Sequence, residues 1–575
     1  MMKQMIYTDC ETGIENGTGF QFYSYSENID AIYKENQATI CSYERVSSLS
    51  RQPDKTEIEE KCPIRYTYDV FDNNHAFVSR NCYLGLTHKQ NRWGNMFSHA
   101  LCFKPQNLSV YPIALYGSSV FLSDITNEQK NSRNKPNYLP EIDNSFVETK
   151  ITLTEEDVAQ FINADVRRLD YLKQMIEATI IAMYIRNNVQ VMRMGSERPD
   201  NRKTVIINDK KENIPYWIAA ITYAFPLYLA KEISFSTYVY SPGNESQVIL
   251  GASNNTAYVP NDPTYMTRCY IFDFENNIFP RDIQTGDFTE YICNAYRNKL
   301  TSLAYIREYM QQSEFMFSGG HIDRVLKCYQ IYSNDKESMK IQELVQCLDY
   351  VNINCKPDFV KKFYNVICQN FISSGQCDTF LLMAYFRKML EFIKFHNNEE
   401  MRDKMEELYW NRLSALLRDY VRVGEDKIDV FMQQTMGMID NQLLLKSMFH
   451  PVNIEKILEL LKRNYNLYPN KVIGTYLFGY INSMNIGIQQ FARTVDNRLM
   501  RVISENLQGM PQAFDCILTI WKSGISDDLI WDMYMNLILP LYKNKPQTFV
   551  NSIDLIISIY IEHNNYEKLK EILDI

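Results

Sequence analysis

The densest group of chemically reactive side chains lies in one short segment, NRWGNMFSHALCF, which runs from Asn91 to Phe103. It holds an arginine, a tryptophan, a serine, a histidine and a cysteine. Nucleophilic catalysis needs a hydroxyl or thiol beside an imidazole that takes its proton, and metal binding needs several ligands close together. Which chemistry the segment can perform therefore depends on the element that carries it.

The second part of this segment, MFSHALCF from Met96 to Phe103, has the composition of a β-strand. Successive side chains of a strand point to opposite faces of the sheet. Ser98 and Cys102 therefore lie on one face and His99 on the other, which disfavours a catalytic pair within the strand. The pattern favours a core histidine that is bonded to a backbone carbonyl.

An enzymatic alternative combines residues of different strands. In this hypothesis Cys82 or Cys102 is the nucleophile of a hydrolase-type effector, and His99 or His75 is its base. A catalytic thiol needs a cationic neighbour or a helix N-terminus that lowers its pKa. The sequence shows neither beside these strands, so we assign no catalytic residue and keep the four side chains as an alternative only.

Arg92 and Trp93 stand just before the strand, and Gly94 fits a tight turn there because glycine tolerates positive φ angles. An arginine at such a place can stack on an aromatic ring, or bind a carboxylate or phosphate through its two-pronged guanidinium. Turn statistics favour a turn that seats the strand. If the segment does recognise a ligand or partner, the predicted binding residues are Arg92, Trp93 and His99.

The sequence predicts no cofactor and no metal. A phosphate-binding loop needs glycines that lead into a helix, but the glycine-rich stretch from Gly13 to Gly19 leads into the strand-like FQFYSYS. The 7 histidines and 13 cysteines are scattered, without a C-x-x-C or H-E-x-x-H motif. Cys62, Cys82 and Cys102 recur regularly, but their spacing is not that of a zinc site.

Composition restricts the partners and the compartment. The chain has 575 residues, a formal net charge of -9 and a sequence pI of about 5.5. Such a chain has no overall attraction to nucleic acid or to an anionic membrane, and its scattered thiols fit a reducing cytoplasm. The uncharged stretch from Asn213 to Ala230 is marginal as a membrane span, and we interpret it as a buried helix. We expect a cytoplasmic protein without nucleic-acid partners or an integral membrane segment.

The elements predict an α+β multidomain protein with three regions. Residues 1–150 form a β-rich N-terminal domain, with hairpins at Asn16-Gly17 and at Asp72-Asn73-Asn74. Residues 151–295 form an α/β middle domain with a strand–helix–strand crossover, in which EISFSTYVYS and SQVILGAS pair as a hairpin. Residues 296–575 form an all-helical, α-solenoid-like domain, because apolar residues recur at helical spacing.

Four strings together resemble the bacterial GTPase-associated protein 1 family: QMIYTDCE, GTGFQFYSYS, CYLGLTHKQNRWGNMFSHALCF and YWIAAITYAFPLYLAKEISFSTYVYSP. The resemblance covers about the first 255 residues. A family strand motif, R-x-G-N-x-[FY]-[ST]-H-x-[LIV], fits at Arg92, Gly94, Asn95, Phe97, Ser98, His99 and Leu101. A middle-domain motif fits at Trp217, Ala219, Pro226, Phe235, Thr237 and Tyr238.

The resemblance implies a component of a bacterial conflict, or antiviral defence, system that acts beside a GTPase. It implies an adaptor or scaffold that works by protein–protein interaction, with a GTPase encoded nearby as the expected partner. No catalytic residue comes with the resemblance, and the oligomeric state stays open. Direct stimulation of that GTPase by an arginine finger is a further alternative, for which Arg92 or Arg202 would serve.

Overall fold

The computed structural model describes residues 1–89, 92–186, 202–313, 322–333, 341–369, 379–418 and 546–574, with the single positions 427 and 531. The chain divides into two compact units. The first contains Met1–Tyr329 and Asn354–Lys356, and the second contains Gln330–Ile353 and Pro357–Ile575.

The first unit is built on one sheet, to which the described residues contribute nine strands. Their spatial order is β2-β1-β5-β4-β3-β7-β8-β6-β9. Neighbours are antiparallel from β2 to β7, and the pairs from β7 to β9 are parallel. The strands are β1 Lys3–Cys10, β2 Gly19–Tyr25, β3 Arg65–Asp72, β4 His75–Leu86, β5 Trp93–Phe103, β6 Thr204–Asn208, β7 Phe235–Ser236, β8 Ile249–Ala252 and β9 Cys269–Asp273.

Helices pack around this sheet and make up the described part of the second unit. Those of the first unit are α1 Ala31–Glu35, α2 Gln37–Cys41, α3 Lys55–Lys61, α4 Asn127–Asn131, α5 Asn144–Glu148, α6 Glu155–Asn163, α7 Arg167–Arg186, α8 Ile214–Thr222, α9 Leu227–Ala230, α10 Pro263–Arg268, α11 Asp287–Asn298 and α12 Thr301–Ser313. The later helices are α13 Ile322–Tyr332, α14 Ile341–Asn354, α15 Pro357–Ile367, α16 Thr379–His396, α17 Glu399–Arg418, α18 Pro546–Glu562 and α19 Tyr566–Leu573.

The two predicted N-terminal hairpins are confirmed, and both depend on short polar turns. Between β1 and β2, Asn16 has a φ of 62°, a left-handed conformation that asparagine tolerates better than most residues. Between β3 and β4, the Asp72 carboxylate accepts a hydrogen bond of 2.7 Å from the Asn74 backbone N–H. The third predicted strand is confirmed as β5, which lies between β1 and β4.

One sheet runs through the predicted N-terminal and middle regions, because β3 pairs with β7. Thr67 lies opposite Ser236, and their hydroxyl oxygens are 2.9 Å apart. Beside them, the rings of Tyr68 and Phe235 lie 5.9 Å apart. The α+β class is confirmed, while the boundaries near residues 150 and 295 stay predictions. The sheet does not end at the first of them.

The strand–helix–strand crossover of the middle region is confirmed, since β6 runs parallel to β8 and β9. The uncharged stretch is helical and largely buried, as predicted, but it forms two short helices, α8 and α9, instead of one. No helix in the described ranges is long and apolar enough to cross a membrane.

The predicted hairpin between EISFSTYVYS and SQVILGAS is wrong, because β7 and β8 are parallel. After Ser236 the chain stays beside β3, where the Thr237 hydroxyl bonds to the backbone of Ile64 and Tyr66. A 3₁₀ turn at Pro242–Asn244 lies in the connection from β7 to β8. The connection over residues 237–248 is long enough for β8 to run in the same direction as β7.

The second unit is helical in its described residues, which confirms the all-helical prediction for them. Its helices pack through aromatic side chains: the rings of Tyr364 and Tyr385 lie 5.2 Å apart, and the Asn352 amide donates a 3.0 Å hydrogen bond to the Tyr364 hydroxyl. The predicted helices NIEKILELLKRNY and DDLIWDMYMNLILPLYK lie outside the described residues, apart from Trp531. The solenoid-like stacking stays a prediction.

Gly251 in β8 provides a test of how closely β8 packs against the chain that follows β7. A Cβ atom at Gly251 would lie 2.1 Å from the Thr237 carbonyl oxygen, which is backbone and cannot swing away. We expect Gly251→Ala to destabilise the first unit by at least about 3 kcal/mol, the upper range for overpacking, and to lower its thermal midpoint. The matched control is Gly17→Ala, whose Cβ would meet the flexible end of Gln21. Equal midpoints for the two variants would contradict the close approach at Gly251.

Candidate binding site

His99 lies in the core of the sheet, with 1% of its surface exposed. Its Nδ1 accepts a hydrogen bond of 3.0 Å from the Leu122 backbone N–H, so the proton is on Nε2, which donates over 3.0 Å to Oε1 of Gln4. The ring also meets Phe121 edge to face at 5.7 Å. Burial, together with the charge of Arg80, lowers the pKa of His99 to about 4, and the ring is neutral. It is a core histidine, but its partners are an amide side chain and a backbone N–H instead of a carbonyl.

The thiol and imidazole groups of the enzymatic alternative each contact other neighbours in the described structure. His75 Nδ1 lies 2.8 Å from the Asp72 carboxylate. Cys82 Sγ lies 3.5 Å from the Ser123 carbonyl oxygen. Cys102 is fully buried, and burial holds the pKa of its thiol well above the usual range. The structure does not pair any of these groups with each other or with His99 through a described hydrogen bond.

Arg92 and Trp93 lie at the rim of the sheet, where β5 begins. Arg92 is exposed, and its guanidinium carbon lies 5.7 Å from the centre of the Phe20 ring. Trp93 is half-buried and pairs across the strands with Leu86, whose side chain is 36% exposed. Gly94 has a φ of 116° and lies inside β5 instead of in a turn before it. Of the three predicted binding residues, Arg92 and Trp93 reach the surface and His99 does not.

A cavity of about 680 Å³ opens beside Trp93. Here β4 continues past the end of β3, which begins at Arg65 opposite Asn81. The space next to this free part of β4 is bordered by α3 and by the segment that contains α4. Cys62, Cys82 and His88 also border the cavity. The sequence predicted residues on its rim but not the cavity itself.

Sequence reasoning missed a buried ionic cluster around His88. Its backbone N–H and its Nδ1 both contact one carboxylate oxygen of Asp9, at 2.7 and 2.6 Å, and its Nε2 lies 3.3 Å from Glu11. Lys89 and His88 lower the pKa of Glu11 below its ordinary value. The cluster fastens the end of β1 to the loop between β4 and β5. The signal was the spacing of Asp9 and Glu11, which places two acids on one side of a strand end.

Two regions of the chain match known protein families. Residues 1–144 match the family model described as GTPase-associated protein 1, N-terminal domain type 2. Residues 188–276 match the model described as GTPase-associated protein 1, middle domain. No curated protein matches the chain. Together the two matched regions contain all nine described strands, and the cavity lies within the first.

The low pKa of His99 predicts acid sensitivity. In the unfolded chain His99 binds a proton with the ordinary pKa of 6.5, but in the folded protein it does so only near pH 4. The stabilisation that neutral His99 provides is therefore fully present above pH 6.5 and is lost as the pH falls towards 4. Lowering the pH from about 7 to about 5 should therefore reduce the free energy of unfolding by about 2 kcal/mol through His99.

Thermal unfolding of wild type and His99→Gln at both pH values measures the effect. The variant should be less stable at neutral pH, because it loses the ring contacts, but should lose less stability on acidification. An equal loss in both proteins would mean that His99 is not neutral in the folded state.

Thiol labelling tests the enzymatic alternative. Burial raises the pKa of both Cys82 and Cys102, so neither is a ready thiolate at neutral pH. We expect both to react with iodoacetamide more slowly than a free cysteine does, as followed by peptide mass spectrometry with denatured protein as the reference. One of them reacting faster in the native protein than in the denatured protein would support a catalytic thiol.

Proposed function

Because this chain belongs to the GTPase-associated protein 1 family, we propose that it is a non-enzymatic cytoplasmic adaptor in a bacterial GTPase-centred conflict system. In this role it binds partner proteins and holds them together, with a GTPase encoded nearby as one of them. The observation that carries the proposal is the pair of family matches, both of which are described by association with a GTPase.

The chemistry of the rim supports binding to a protein. We define the Arg92 patch as Leu86, Arg92 and Trp93, which lie together where β4 ends and β5 begins. Arginine and tryptophan are enriched at the centres of protein interfaces, because each combines a large contact area with directional polar groups. The proposed GTPase contact is therefore the Arg92 patch.

The environments of the candidate reactive groups also fit an adaptor. His99 holds its single proton in a hydrogen bond to Gln4, and burial raises the pKa of the Cys82 and Cys102 thiols. A base without a free ring nitrogen and a thiol that resists ionisation are poor catalytic groups. Their side chains contribute instead to the interior that supports the rim.

The test begins with purification of the full chain, carrying an affinity tag, from its native bacterium. The proposal expects a GTPase to co-purify and to bind the isolated protein directly in calorimetry. Arg92→Ala and Trp93→Ala should each weaken that binding by about 10-fold or more, as central interface residues do. The control is Arg281→Ala, an exposed arginine of the same unit outside the Arg92 patch.

Three outcomes would contradict parts of the proposal. If no GTPase is enriched, the adaptor role loses its support. If Arg92→Ala and Trp93→Ala bind as tightly as Arg281→Ala, the contact lies elsewhere. If the protein accelerates GTP hydrolysis by its partner about 10³-fold and Arg92→Ala abolishes this, the protein supplies an arginine finger and does more than hold its partner. Arg202 is a poorer finger, since it is paired with Asp282 and lies over Tyr270.

A further inference from the structure

We propose that the cavity beside β4 binds a small organic carboxylate with an apolar body, which pairs with Arg80. Arg80 is half-buried, lies opposite His99 in the sheet and borders the cavity. Its Nη1 donates hydrogen bonds to two uncharged acceptors, 3.4 Å to Cys82 Sγ and 3.4 Å to the Leu122 carbonyl oxygen. No carboxylate of the described residues forms an ion pair with it.

The other cations at the cavity have partners of their own. The Lys130 ammonium pairs with Asp124. Lys55 lies 3.6 Å from Glu59 on α3. Among the described residues that line this cavity, Arg80 is therefore the cation without a counter-charge. A half-buried charge without a counter-charge is unfavourable, so an anion that enters the cavity relieves this cost as it binds.

The geometry of arginine selects the kind of anion. A guanidinium presents parallel N–H groups that match the two oxygens of a carboxylate, and such bidentate pairs are short and strong. One unpaired cation balances one negative charge. A monocarboxylate therefore fits better than a phosphate group, which carries close to two charges at neutral pH.

A buried polar atom of Asn95, at the same cavity, is a second, independent sign of a ligand. Asn95 is 1% exposed; its amide N–H donates over 2.9 Å to the Leu86 carbonyl oxygen, but its Oδ1 has no hydrogen-bond partner. The hydroxyl of Tyr83, which also borders the cavity, has the Arg45 side chain and the Gly94 backbone as neighbours and is not such a group. Buried polar groups in folded proteins are normally satisfied. A ligand with a donor group would satisfy Asn95 Oδ1.

The rest of the wall suits an apolar body. Ile58, Leu84, Leu86 and Trp93 line the cavity together with the polar groups. Its volume of about 680 Å³ lies in the range of small-molecule sites, which are mostly apolar with a few convergent polar groups. Leu86 and Trp93 belong both to the Arg92 patch and to the cavity wall, whereas Arg80 and Asn95 lie outside the patch. Variants of Arg80 therefore test this inference separately from the proposed function.

The experiment measures binding of two probes, indole-3-acetate and 4-phenylbutyrate, to the purified full chain by saturation-transfer NMR. Their uncharged amides, indole-3-acetamide and 4-phenylbutyramide, are the matched controls. We expect at least one carboxylate to bind with a millimolar or lower dissociation constant and its amide to bind at least about 10-fold more weakly, the loss of about 1.4 kcal/mol. Carboxylates and amides that bind equally, or no binding by either carboxylate, would overturn the proposal.

Variants assign the binding to Arg80. Arg80→Gln should weaken carboxylate binding about as much as amidation of the probe does, while Arg80→Lys keeps the charge but loses the fork and should fall between. Arg281→Gln, at an exposed position away from the cavity, should bind like wild type. Unchanged binding by Arg80→Gln would overturn the assignment. If Arg80→Gln does not fold, the comparison of carboxylate with amide in the wild-type protein still decides.

Discussion

The short contact between β3 and β7 is the constraint on which the architecture of the first unit depends. The two strands share only two residue pairs in the described structure, and side-chain hydrogen bonds strengthen this short pairing. The Thr237 hydroxyl accepts a hydrogen bond from the Tyr66 N–H and donates one to the Ile64 carbonyl oxygen, both at 2.9 Å. The hydroxyls of Thr67 and Ser236 bond beside it. These hydrogen bonds would be lost if the strands separated, and a hydrogen bond of this kind contributes about 0.5–1.5 kcal/mol to stability.

The position of β5 between β1 and β4 determines which of its side chains reach the surface. β5 lies inside the sheet with strands on both sides, so the histidine and cysteine of its central part are enclosed. Only the start of the strand, at Arg92 and Trp93, comes to the surface. The reactive side chains in the middle of such a strand contribute to packing, and the exposed side chains lie at the rim. The free part of β4 and its cavity lie at that same rim.

Local patterns predicted local structure well. The turn at Asn16-Gly17 and the alternation in MFSHALCF need only neighbouring residues to be interpreted, and both elements are present. The direction of β8 could not be inferred in this way, because it depends on where Thr237 bonds, and its partners are more than 170 residues away in β3. The His88 cluster could not be predicted for the same reason, since Asp9 and His88 are separated by 79 positions in the sequence. The sequence shows which residue types could perform chemistry, but which of them lie close together depends on the pairing of strands that are distant in the chain.

The pairing of β3 with β7 also has a consequence for inheritance. A chain that ended after the first family match would leave the outer edge of β3 without a neighbour, and exposed edges of this kind recruit strands from other molecules. We therefore expect the N-terminal and middle segments to be inherited together, because each covers a sheet edge of the other. A different N-terminal segment could replace this one by gene fusion only if it brought an edge strand of its own to the same side of β7.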